Sequence, residues 1–129
     1  MTDPSSYPVR LAEDIASLIK TLDDHLDQAT PRQAAEILGK VLDTEGGVLT
    51  RVTDLVGTGS RFAQRQAHRG MLPPEVWLAM GRAANELASV GMDLDEHADA
   101  LKQLGAPSTT ASALPPKPVA SAMVVRRSR

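Results

Sequence analysis

The 129-residue chain has no cysteine and only three aromatic residues, Tyr7, Phe62 and Trp77. Without thiols there are no disulfides, no thiolate metal ligands and no dithiol redox chemistry. With so few aromatics the core has to come from Leu, Val, Ile, Ala and Met, which suits helix-on-helix packing better than a large mixed sheet. No run of eighteen apolar residues occurs, so no membrane helix is expected. Residues 1–6 are polar and acidic, where a secretory leader would be basic and then apolar. The expected location is therefore the cytoplasm, and the Ala-rich, Arg-over-Lys composition suggests a bacterial source.

Charge of one sign is missing from the end of the chain. All sixteen acidic residues precede Gly105, together with ten of the fourteen Lys and Arg, so that part carries a formal charge of −6. Residues 106–129 contain Lys117, Arg126, Arg127 and Arg129 and no acid, a charge of +4. A basic tail on an acidic body can meet a second copy, an acidic partner or nucleic acid, or serve solubility alone.

The strongest positive signal is an apolar stripe that holds helical phase over about thirty residues. It runs Val76, Met80, Ala83, Leu87, Val90, Leu94, His97, Leu101 and Leu104. Beside it lies a stripe of small residues, Gly81, Ala84, Ala88 and Gly91. A helix with two such faces packs closely against other helices.

The coarse reading is all-α. A frayed end over 1–7 leads into a first helix from Pro8 to Gln28, with Leu11, Ile15, Leu18, Leu22 and Leu26 as its buried face. Its Asp23, Asp24 and Asp27 stand at the C-terminal end, where the helix dipole disfavours them. Thr30-Pro31-Arg32-Gln33 then carries a capping box, with Pro31 at the first position of a second helix. The turn between them is so short that the two helices must lie antiparallel. Gly46-Gly47 and Gly57-Thr58-Gly59-Ser60 are weak points. The apolar pattern Ala34, Leu38, Val41, Val48, Val52, Leu55, Phe62 nevertheless keeps phase across them, which favours one long helix to about His68. Ser60 can recap the chain if it breaks. A third helix runs from Pro74 to Leu104, Gly105 stops it, and Trp77 seals one end of the bundle. The expected architecture is an elongated up-down-up three-helix bundle over 8–105, or four helices if the chain breaks at Gly46-Gly47 or Gly57-Gly59. Residues 106–129, rich in Pro, Ala and Ser, are expected to form a disordered basic tail.

Motifs that carry chemistry are weak. Asp93 and His97, at i and i+4, can form half of a metal site, but the Glu-x-x-His pattern of bundle di-iron sites is missing. Gly57-Thr58-Gly59-Ser60 lacks the Lys and the preceding strand of a phosphate loop. No serine stands in a nucleophile elbow, and nothing places two carboxylates in an apolar cleft. Arg61, Arg65 and Arg69 fall at i, i+4 and i+8 with His68 beside them, a stripe suited to phosphates or to an acidic neighbouring surface. The C-terminal Met123-Val124-Val125 followed by Arg126, Arg127 and Arg129 reads as a docking peptide or an ordinary tail end.

These features point to a non-catalytic helical interaction or scaffold module that self-associates or pairs with a helical partner. No enzyme activity, cofactor or membrane partner is expected. The helix-packing interface is expected at Gly81, Ala84, Leu87, Ala88, Val90, Gly91, Leu94 and Leu101. Anion or nucleic-acid contact, the first alternative, falls to Arg61, Arg65, Arg69, Arg126, Arg127 and Arg129. A small metal-binding helical protein is the second.

Overall fold

A computed structural model describes residues 6–106. They form five helices and no strand: α1 (Tyr7–Asp27), α2 (Pro31–Val41), α3 (Val48–His68), α4 (Pro74–Asp95) and α5 (Ala98–Gly105). The expected tail, with Arg126, Arg127 and Arg129, lies outside the described residues.

Local chemistry accounts for the helix ends. In α1 Pro8 occupies the first turn, where its missing N–H costs nothing. At α2 the capping box forms: the Gln33 N–H donates to Thr30 Oγ1, and the Thr30 N–H donates to Gln33 Oε1, both at 3.2 Å. At the end of α3, Gly70 adopts φ +77°. Its N–H donates to the Ala67 carbonyl at 3.0 Å, and the Met71 N–H donates to Gln66 at 2.8 Å. This is a Schellman closure, and the left-handed residue it needs is a glycine.

Two expectations of continuous helix fail. The first break falls at Gly46-Gly47, where the chain turns between Val41 and Val48. Gly46 has φ +105°, a conformation that side chains disfavour. A Cβ on Gly47 would stand 2.5 Å from the Asp43 carbonyl oxygen and 2.6 Å from that of Lys40. Asp43 organises the turn. Its carboxylate accepts from the Glu45 N–H at 2.9 Å. Its carbonyl accepts from the Gly47 N–H at 2.9 Å and from Thr50 Oγ1 at 3.2 Å. At Gly57 and Gly59, by contrast, α3 runs straight through, and Ser60 does not recap it.

The second break falls at Glu96-His97, inside the expected third helix. The His97 N–H donates to Leu94 at 3.0 Å, and the Leu101 N–H donates to the His97 carbonyl at 3.2 Å. Here the acidic run matters. In a continuous helix to Leu104, Asp95 and Glu96 would lie away from either end, whereas the break leaves them at the C-terminal end of α4, where the dipole disfavours them. The break puts Asp99 in the first turn of α5 and Lys102 in its last, both favoured by the dipole.

The body is one antiparallel helical hairpin, with α3 packed along α4 and α2 along α5. Close approaches fix its register. A Cβ on Gly105 would meet Ala35 Cβ at 3.1 Å, one on Gly91 would meet Leu49 Cδ2 at 3.8 Å, and one on Gly59 would meet the Met80 tip. These pairs keep a single register about the turn at Gly70, through both breaks. The seam runs Ala35, Leu38, Leu42, Leu49, Val52, Val56, Gly59 and Ala63 on one strand. It returns as Trp77, Met80, Ala84, Leu87, Gly91, Leu94, Ala98 and Leu101, all buried or half-buried. Apart from the seven-residue step from Leu42 to Leu49 across the turn, the steps alternate between three and four residues, the spacing that keeps two helices in continuous contact. The breaks face each other across a cavity of about 400 Å³ that touches Leu42, Asp43 and Thr44 on one side and Leu94, Asp95 and Ala98 on the other.

The two glycine sites make opposite predictions. Gly47→Ala drives a methyl group into backbone carbonyls and should destabilise by about 1–3 kcal/mol. Gly57→Ala adds a methyl group that meets only the Arg61 guanidinium, at 3.7 Å. It should stabilise by up to about 1 kcal/mol, through helix propensity. Urea melts followed by circular dichroism measure both.

Candidate functional site

The hairpin seam buries little, because two helical layers leave its Leu, Val, Trp and Met side chains only half-covered. Ala35 and Ala63 are its fully buried apolar side chains, and no large side chain is fully buried among the described residues. What the seam does not bury is left on one flank. Ser60 and Gly81 mark the opposite, closely packed flank. The Ser60 hydroxyl donates to the Trp77 carbonyl at 2.9 Å, and a Cβ on Gly81 would lie 3.4 Å from that hydroxyl. Residues seven apart share a helix face. The flank away from Ser60 therefore carries Val48, Leu55 and Phe62 on α3 and Val76, Ala83 and Val90 on α4. Leu55 is 64% exposed and Phe62 52%.

Helix α1 lies against the α3 part of this flank without closing it. Its side chains Ile15, Leu18, Ile19 and Leu22 form one wall of an open groove of about 350 Å³, and Val48, Val52 and Leu55 form the other. Arg51 is the one charged side chain among the described residues that line the groove. It sits at the rim, 4.0 Å from Asp54. Nothing in α1 is fully buried, and Leu18 is 67% exposed. An apolar helix face open to water on this scale makes α1 the candidate interaction surface.

The residues expected to form a packing interface divide. Gly81, Ala84, Leu87, Gly91, Leu94 and Leu101 lie half-buried within the hairpin, where α4 and α5 meet α3 and α2; Ala88 and Val90 are exposed. Of the small residues, Gly81 and Gly91 thus face α3, and Ala88 faces water. The most open apolar face is instead that of α1, whose periodicity predicts a buried face. The signal was present in its width. Leu11, Ile15, Leu18, Ile19, Leu22 and Leu26 span more of the helix than one neighbour covers.

Arg61, Arg65 and Arg69 are exposed at the outer end of α3 and make no ion pair among the described residues. Arg61 donates to Thr58 Oγ1 at 3.0 Å. Arg65 and His68 occupy the last turn of α3, where cations offset the helix dipole. Arg51 belongs to the groove rim rather than to this stripe. Asp93 and His97 fall on either side of the second break, and no group of three His, Asp or Glu side chains able to hold a metal occurs among the described residues. The cavity between the breaks is rimmed by Glu36, Lys40, Asp43, Asp95 and Lys102, all exposed to water. Among the described residues no helix is long and apolar enough to cross a membrane.

No protein-family model, curated protein sequence or solved structure matches the chain.

Placement of the seam predicts unequal sensitivity along α4. Leu87→Ala should cost about 2 kcal/mol or more, since it removes a half-buried seam residue. Val90→Ala, on the open flank, should stay within about 0.5 kcal/mol. Denaturant unfolding of the two variants at one low protein concentration compares them.

Proposed function

We propose that the protein is a non-catalytic helical interaction module. In this reading α1, the α2–α3 strand and the α4–α5 strand run up, down and up. The hairpin is the rigid part, and the α1 face with the adjoining groove is the surface that docks a helical partner, a second copy included. The observation that carries it is the open apolar wall of Ile15, Leu18 and Ile19 facing Val48 and Leu55. Burying such side chains stabilises by roughly 1.5–3 kcal/mol each when complete, and the thin seam leaves that free energy unused within the chain. Charge sets orientation, and residues 106–129 bring a basic tail to the assembly.

The test compares the full chain with the double variant Ile15→Ser, Leu18→Ser. Association stabilises the folded state by mass action, so the Tm of the unmodified chain should rise with protein concentration. The double variant should lose that dependence. At low concentration its stability should stay within about 1 kcal/mol of the parent, because exposed side chains contribute little. A Tm independent of concentration in the parent, with a loss above about 2 kcal/mol in the variant, would place α1 in a closed monomer core and refute the reading.

The exposed arginine stripe favours a second reading, contact with nucleic acid. Its affinity for duplex DNA should then fall steeply with added salt, and Arg65→Ala should lower the slope of log affinity against log salt by about 1. Absence of salt-sensitive binding in a fluorescence anisotropy titration removes this reading.

A further inference from the structure

The groove between α1 and α3 has an aliphatic floor inside an acidic border. The apolar face of α1 is two neighbours wide. Residues 15, 19, 22 and 26 trace one seam at steps of four, three and four, and residues 11, 15, 18 and 22 trace a second beside it. Within the chain, α3 reaches part of this width through Val48, Val52 and Leu55, and the rest is open groove. Its volume of about 350 Å³ lies at the low end of ligand sites, roughly 300–1,000 Å³, and a few side chains fill it.

Carboxylates frame this floor on both helices. Asp14, one residue before Ile15 and four before Leu18, edges the α1 face on one side. Asp23, one residue after Leu22 and four after Ile19, edges it on the other. Glu45 precedes Gly46, and Asp54 precedes Leu55. The cation that lines the groove, Arg51, stands 4.0 Å from Asp54. Asp14, Asp23 and Glu45 are exposed and make no ion pair among the described residues. An occupant that matches this border is apolar over a few residues and basic beside them.

One segment of the chain has that composition. Met123, Val124 and Val125 are followed by Arg126, Arg127 and Arg129, and no acid occurs after residue 105. The segment is also within reach. A Cβ on Gly105 would stand 3.1 Å from that of Ala35, so the described chain ends beside the start of α2, which a three-residue turn joins to α1. Extended, the seventeen residues 106–122 span up to about 55 Å. The whole of α1 is about 31 Å long.

We infer that residues 123–129 of the same chain occupy the groove until a partner displaces them. Val124 and Val125 then lie against Leu18, Leu22 and Val48, with the arginines beside Asp23 and Glu45. The arginines belong at the Leu22 end because Arg10 precedes the Ile15 end. Tethering gives the segment an effective concentration on the order of millimolar, so a contact that is weak between separate molecules is populated within one. The inference rests on the α1 face being a docking surface and names the segment that competes for it.

The full chain tests this, with no native cysteine to interfere. A nitroxide on Ser128→Cys should broaden the amide signals of Leu18, Leu22, Val48 and Leu55 more than those of Ser60 and Gly81 on the closed flank. Val124→Asp with Val125→Asp should abolish that difference. Asp23→Lys with Glu45→Lys should reduce it, and so should added salt. Equal broadening on both flanks, or none at the groove, overturns the inference. Groove broadening of an isotope-labelled chain by a separate spin-labelled chain overturns it too, because the segment then comes from a second copy. Amide exchange in the Val124→Asp, Val125→Asp variant separates this failure from that of the docking reading. Slow exchange along α1 shows that α1 closes on its own hairpin, and both readings fall. Fast exchange without selective broadening overturns the tail as occupant and leaves a docking surface that takes a different molecule.

Discussion

Close approach of small residues along the hairpin seam is the constraint from which the rest of the molecule follows. Where Gly59 faces Met80, Gly91 faces Leu49 and Gly105 faces Ala35, the helices can draw together because one side of each contact has no side chain or only a methyl group. That geometry secures register and dispersion contacts, yet it buries little apolar area per residue. A chain with three aromatics has few bulky rings with which to compensate. The aliphatic residues that would fill the core of a thicker bundle stand on one flank and on α1. Shortage of core inside the chain and surplus of apolar surface outside it are thus the same fact, seen from two sides.

The helical class, the capping box at Thr30 and Gln33, the stop at Gly105 and the first helix could all be read from residue types, because each is decided within a few positions. The break at Gly46-Gly47 could be read only as an alternative to a continuous helix, and the break at Glu96-His97 not at all. Phase preserved across Gly46-Gly47 was read as continuous backbone, but phase reports what a segment packs against. α2 and α3 keep a common phase because both lie on the same returning strand, α5 and α4, in one register. Backbone continuity is decided separately by local chemistry: a positive φ at Gly46, a Gly47 with no room for a side chain, and an Asp43 whose carboxylate and carbonyl hold the turn. Gly57 and Gly59 lack such a partner, and α3 passes through them.

The candidate surface was legible only in part. The stripe on α4 predicts a packing face, but periodicity alone does not say whether the partner is the same chain or another. The structure gives Leu87, Leu94 and Leu101 an intramolecular partner and leaves Ile15 and Leu18 with an open groove. The decisive quantity was the width of the apolar stripe rather than its period. A stripe one seam wide is satisfied by one neighbour, and α1 carries two seams that share Ile15 and Leu22.

The paired breaks bear on where this surface lies. Turns at Gly46-Gly47 and Glu96-His97 lie at the same level of the hairpin, around one cavity, and divide it into a long segment, α3 with α4, and a short one, α2 with α5. Helix α1 is joined to the short segment through the turn at Gln28–Thr30, while its groove is walled by the long one. The placement of α1 over Val48 and Leu55 therefore depends on the angle at the two breaks as well as on the glycine and alanine contacts of the seam.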